Sequence, residues 1–120
     1  MRTGDLLNLS NWVVVGDVEN QSKFAYRILK KLESRNFNVK GVNPKGGESV
    51  YTSLKDVPYK IDVIDLCINP LKGIKIIQEA KTLGIQYILI QPGAESIEIL
   101  NYCKENNLTA IEGCVLIALG

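Results

Sequence analysis

Five short apolar runs, at positions 12–16, 38–43, 61–69, 86–91 and 109–116, recur along this chain with room between them for a helix or a long turn. They are largely continuous rather than alternating, which is the pattern of strands buried on both faces of a parallel sheet. The intervening segments carry helical periodicity. Across 23–35, Phe24, Ala25, Ile28, Leu29 and Leu32 recur at three- and four-residue spacing, while Lys23, Arg27, Lys30 and Lys31 take the other face. Asn20 or Ser22 is placed to cap this helix, and Asn36 to accept a left-handed stop. Over 71–83 the stripe is Ile74, Ile77 and Ala80, with Gly84 as the stop. Over 95–106 it is Ile97, Leu100 and Cys103, after the break at Pro92-Gly93. Residues 53–57, ended by Pro58, make one or two turns at most.

Strands alternating with helices predict an α/β fold: a Rossmann-like, doubly wound parallel sheet of about five strands. The expected strand order is 3-2-1-4-5, with ligands at the switch point beyond the carboxyl ends of strands one and four. No repeat or Pro/Gly-rich linker divides the 120 residues, so a single domain over 1–120 is expected, long enough to bury one core. A balance of 14 basic against 13 acidic residues leaves no electrostatic footprint for nucleic acid or an anionic membrane. The apolar runs are far shorter than a membrane span, and the N-terminal MRTGDLLNLSNW lacks a secretion-signal pattern, so the cytoplasm is the expected location.

The absence of histidine removes Ser-His and Cys-His nucleophile pairs and the commonest transition-metal ligand. Cys67, Cys103 and Cys114 lack metal-type spacing and read as small apolar side chains in a reducing compartment, with a redox role for Cys67 as the alternative. No metal site is expected. Nor does an acid–base pair emerge, since Asp62 and Asp65 fall within a buried strand and Glu112 within the last one.

The predicted topology aligns four turns on one rim: 16–23, Asn43-Pro44-Lys45, Asn69-Pro70 and Gln91-Pro92-Gly93. Gly16 allows a tight turn that brings amide N–H groups to a phosphate, although any strand-to-helix turn favours glycine. The acids Asp17 and Glu19 repel a diphosphate unless they point away. After strand two, where dinucleotide oxidoreductases carry an acid for the ribose hydroxyls, this chain has Lys45, which suits a ribose phosphate and not plain NAD. The structural reading of Lys45 is an exposed lysine in a glycine loop. Tyr51-Thr52-Ser53-Leu54 reads either as a ring and hydroxyls beside a bound base or, more simply, with Ser53 as the cap of a short helix. Cys67-Ile68-Asn69-Pro70 reads either as the lining of a ligand's arm or as a strand followed by a Pro-initiated helix. The turn from Gln91 to Glu95 reads either as a lead into a helix start that favours anions or as ordinary turn chemistry.

Taken in order, VVVGD, NFNVKGVNPKGGE, VYTSLKDVPYKIDVIDL and ILIQPGAES resemble the small single-domain CoA-binding proteins, relatives of the CoA-binding domain of the succinyl-CoA synthetase alpha subunit. The most specific segments are GVNPK and the Y-x-SLKDVP that precedes strand three, and the resemblance runs from about Trp12 onward. It implies that the Gly16 loop holds the CoA diphosphate, that Lys45 lies near the phosphorylated adenosine, and that the segment after strand three lines nucleotide and pantetheine. The implied ligand residues are Gly16, Asp17, Val18, Lys23, Pro44, Lys45, Ile68, Asn69 and Pro70, to which the rim geometry adds Asn43, Gln91 and Gly93. Two departures stand out: Asp17 replaces a small hydroxyl residue, and Cys67-Ile68-Asn69-Pro70 lacks an arginine often found there. The synthetase's phosphohistidine lies in a domain outside this stretch. The expected function is non-catalytic binding of CoA or an acyl-CoA, as a sensor or accessory module, with a protein partner or a second copy as possible company. The rival readings are an NADP- or other nucleotide-binding regulator and a ligand-free interaction domain.

Overall fold

The computed structural model describes residues 1–120. The element order is α1 (Thr3–Leu6), β1 (Asn11–Gly16), α2 (Phe24–Ser34), β2 (Asn38–Val42), a 3-10 turn (Leu54–Asp56), β3 (Val63–Cys67), α3 (Pro70–Thr82), β4 (Tyr87–Ile90), α4 (Ile97–Glu105), β5 (Thr109–Glu112) and α5 (Val115–Leu119). All five strands are parallel in one sheet, the α/β doubly wound architecture expected. Residues along each strand point alternately to the two faces. Val13, Val15, Ile64, Leu66, Ile88 and Ile90 pack with Ile76, Ile77 and Ala80 of α3 and Ile99 and Cys103 of α4. Trp12, Val14, Val63 and Leu89 pack on the other face with Ala25, Ile28 and Leu32 of α2, Leu6 and Val115. No helix is long and apolar enough to cross a membrane.

The strand order is β2-β1-β3-β4-β5, which differs from the expected 3-2-1-4-5 in the placement of β3. It pairs with β1 on the side away from β2, so Gly16 of β1 stands opposite Cys67 of β3. The cause lies in the connection between β2 and β3, which contains only a three-residue 3-10 turn and no helix to return it beside β2. That connection instead buries Leu54, Val57 and Ile61 in the core beneath α3 and α4, and delivers β3 to the open edge of β1. Glu79 of α3 anchors it by accepting hydrogen bonds from the Ser53 hydroxyl and from the Leu54 and Lys55 amides. Ser53 thus binds a neighbouring helix rather than capping its own turn. The topological switch consequently falls between β1 and β3, not between strands one and four.

Local boundaries follow capping chemistry. Asn36 adopts the left-handed conformation after α2 (φ 67°), and Gly84 does so after α3 (φ 76°). Asn20 and Ser22 hydrogen bond to each other ahead of α2 instead of capping it, and Lys23 occupies the cap position. The run 109–116 is not one strand. It pairs as far as Glu112 and then turns into α5, of which only Val115 is fully buried.

Candidate functional site

The carboxyl ends of β1, β2 and β3 surround a cleft of about 600 Å³ at the switch point. Its floor depends on Gly16. A Cβ there would collide with the Cys67 carbonyl oxygen and come within 3.2 Å of the Ala25 Cβ. Glycine is therefore required because β3 and α2 approach the end of β1 closely, whatever occupies the cleft.

Two helices begin over this floor. α2 has no side-chain cap and no acid in its first turn, and Lys23 precedes it. α3 begins with Pro70 at its first position, and Asn69 Oδ1 accepts a hydrogen bond from the Lys72 amide at 3.1 Å. The first amides of any helix lack intrahelical partners, and the aligned peptide dipoles make that end favourable for anions. A third wall is the loop after β2. There Asn43 Oδ1 accepts a hydrogen bond from the Lys45 amide at 3.1 Å, and Gly46 N–H donates to the Asn43 carbonyl at 2.8 Å. This tight turn holds Lys45 over the cleft.

Three lysines, Lys23, Lys45 and Lys72, therefore line the cleft against a single acid, Asp17. None of them is in an ion pair; the chain's one ion pair is Lys30–Glu33 at 3.4 Å, on the exposed side of α2. Partial burial first, and then the neighbouring Lys45 charge, hold the Lys72 ammonium below the ordinary lysine value. Two cations facing each other without a carboxylate between them form a ready seat for a multivalent anion. A hollow of about 700 Å³ on the outer side of α2 is also basic, but Lys30 is paired with Glu33 and Lys31 Nζ donates to the Gly120 carbonyl.

Of the residues singled out from the sequence, Asp17, Lys23, Asn43, Lys45, Ile68 and Asn69 line the cleft together. Val18 does not: it is buried in the core under α2. Pro44 is exposed beyond the lining, and Pro70 serves to start α3. Glu19 points away from the cleft, accepting hydrogen bonds from the Glu48 and Ser49 amides at 3.1 and 2.9 Å. Gly93 stands apart, its N–H donating to the Glu95 carboxylate at 2.8 Å, so this turn supplies its own anion. Gln91 is buried in a neighbouring cavity of about 400 Å³ and donates from Nε2 to Asp65 Oδ1 at 2.8 Å. Lys72 escaped the sequence reading. Its signal is a lysine in the first turn of a helix that has no acid there, against the helix dipole.

Burial raises two further groups beside the cleft. Burial pushes the fully enclosed Asp65 carboxyl up to about 7, opposed by its bond from Gln91. Burial, then the charges of Asp65 and Cys114, push the Cys67 thiol up to about 12. At neutral pH Cys67 is a protonated wall residue rather than a nucleophile.

Comparison with known proteins agrees with this geometry. A family model described as a CoA binding domain matches residues 10–120. Among solved structures, a conserved hypothetical protein from Pyrococcus furiosus superposes with a TM-score of 0.84 at 32% identity, over 91% of this chain and 98% of that one. A hypothetical protein from Pyrococcus horikoshii OT3 gives 0.86 at 24% identity, over 95% and 84% respectively. The dinucleotide forming acetyl-coenzyme A synthetase 1 of Ca. Korarchaeum cryptofilum shares the fold, with a TM-score of 0.65 at 21% identity over 90% of this chain and 27% of that one. The matched segment takes in the whole sheet and every wall of the cleft, and the chain belongs to the CoA binding domain family.

Proposed function

We propose that this chain is a non-catalytic CoA-binding module whose switch-point cleft holds the phosphates of the nucleotide. The observation that carries the reading is the set of three lysines without acid partners, converging where two helices begin. The diphosphate lies over the Gly16 turn and the uncapped start of α2, beside Lys23. Lys45 and Lys72 meet the phosphate on the ribose. A non-catalytic role is supported by a chain without histidine, by a Cys67 thiol held near 12, and by the enclosure of the Asp65 carboxyl. The module acts in the cytoplasm, as a sensor or as an accessory to a larger enzyme.

A nucleotide with a 2′-phosphate, NADP, uses the same chemistry at Lys45 and is the second reading. Parallel calorimetric titrations with CoA, dephospho-CoA, NADP and NAD separate the two. CoA is expected to bind most tightly, and Lys45→Ala to weaken CoA by roughly tenfold while changing dephospho-CoA little. Equal losses for both ligands would remove Lys45 from the ribose phosphate, and binding of NADP without CoA would reverse the order of the readings. A ligand at 100 times its Kd adds about 2.7 kcal/mol to stability, so a melting temperature unmoved by all four at saturation favours a ligand-free interaction domain.

A further inference from the structure

The 400 Å³ cavity beside the cleft is chemically its opposite. Phe24, Cys67, Pro92, Cys114, Leu116 and Ile117 form its apolar walls. Phe24 and Cys67 also line the basic cleft, so the two spaces share a wall and a single elongated molecule reaches both. Phe24 and Ile117 leave 63% and 82% of their surface in water, an arrangement that apolar contact from a ligand relieves. Arg27 supplies the only charge, with its guanidinium over the Phe24 ring, 5.3 Å from the centroid.

One polar group is built into the floor. Gln91 Nε2 is committed to Asp65 Oδ1, which leaves Gln91 Oε1 as an acceptor that takes no hydrogen bond within the chain. Behind it, Asp65 Oδ2 is fully buried without a partner. A cavity of this kind, apolar with one oriented acceptor, fits an amide N–H followed by a hydrocarbon tail. The far end of an acyl-CoA offers both, the amide N–H first and the acyl tail after two methylenes and the thioester group. At roughly 30 Å³ per heavy atom, the share of a water in the liquid, the space holds about a dozen atoms. This accommodates the end of the arm together with a short to medium acyl chain.

We infer that this cavity receives the acyl group of a CoA thioester, so that the ligand of the chain is an acyl-CoA in preference to free CoA. The inference rests on the CoA reading of the neighbouring cleft, and its test separates the two. The intact protein is titrated with CoA, acetyl-CoA, butyryl-CoA and hexanoyl-CoA. Affinity is expected to rise along the series, by up to about fourfold for each methylene buried. Ile117→Glu, at an exposed helix position, is expected to cut the ratio of hexanoyl-CoA to CoA affinity by roughly tenfold. If CoA binds and the longer thioesters bind no better, the acyl inference is overturned while the CoA reading stands. Failure of all four to bind overturns both.

Discussion

The turns after β3 and β4 sit side by side on one sheet edge, and each leads from a buried strand into a helix, yet they end in opposite electrostatic states. After β4, Gly93 N–H is taken by Glu95, Ser96 Oγ accepts from the Ile99 amide, and Glu98 stands in the first turn of α4. After β3, Asn69 caps α3 but the next charge is Lys72, and no acid follows in that turn. The first helix start is complete by itself, whereas the second keeps its positive end and adds to it. A strand-to-helix turn is therefore not an anion site by position alone; the sign of its first-turn side chains decides.

Five substitutions press on this contrast. The largest effect is expected beneath the β4 turn, where Asp65 is buried against Gln91. Its folded pKa is raised from the ordinary 3.8 to about 7. Stability is thus full below the unfolded value, declines as pH rises through the folded one, and is lowest above it. Asp65→Asn is expected to flatten that decline and to stabilise the protein at pH 8 by up to about 4 kcal/mol, measured by urea unfolding at several pH values. An unchanged slope would remove Asp65 as its source.

Next come the glycines that end β1 and follow β4. Gly16→Ala drives a Cβ into the Cys67 carbonyl and is expected to cost about 3 kcal/mol. Gly93→Ala meets no atom within 4 Å and only the penalty of its positive φ of 94°, about 1 kcal/mol. Equal losses in thermal unfolding would mean that close packing at β1 is not what requires Gly16. The smallest effect is on the ligand. Lys72→Ala is expected to weaken CoA by roughly tenfold, and Glu95→Gln by less than about twofold. A comparable loss from Glu95→Gln would bring the β4 turn into the nucleotide site after all.

Much of this was legible in the sequence, and the remainder has definite reasons. The first four strands and the helices α2, α3 and α4 follow from periodicity and from stops such as Asn36 and Gly84. The apolar stretch from Val115 onward reads equally well as strand or helix, because five residues are too few for the two periods to separate. Strand order is invisible in any single segment, since it depends on which edge the β2–β3 connection reaches. Lys45 stood out by its position after strand two. Lys72 did not, because its meaning comes from Lys45 on a different strand's loop. Glu19, an uncomfortable residue beside a phosphate, proved to be a tether for the Glu48 and Ser49 amides.

The Glu79 anchor has a mechanical consequence for the ligand. Glu79 lies about two turns beyond Lys72 on α3 and grips the start of the 3-10 turn. The loop that carries Lys45 is tied at Asn43 and Tyr51 and runs directly into that grip. The backbones of Lys45 and Lys72 are thereby rooted on one frame, positioned before any anion arrives. On the proposed reading, the ordering of backbone that binding ordinarily demands is completed during folding, and association needs little more than the settling of two flexible side-chain ends.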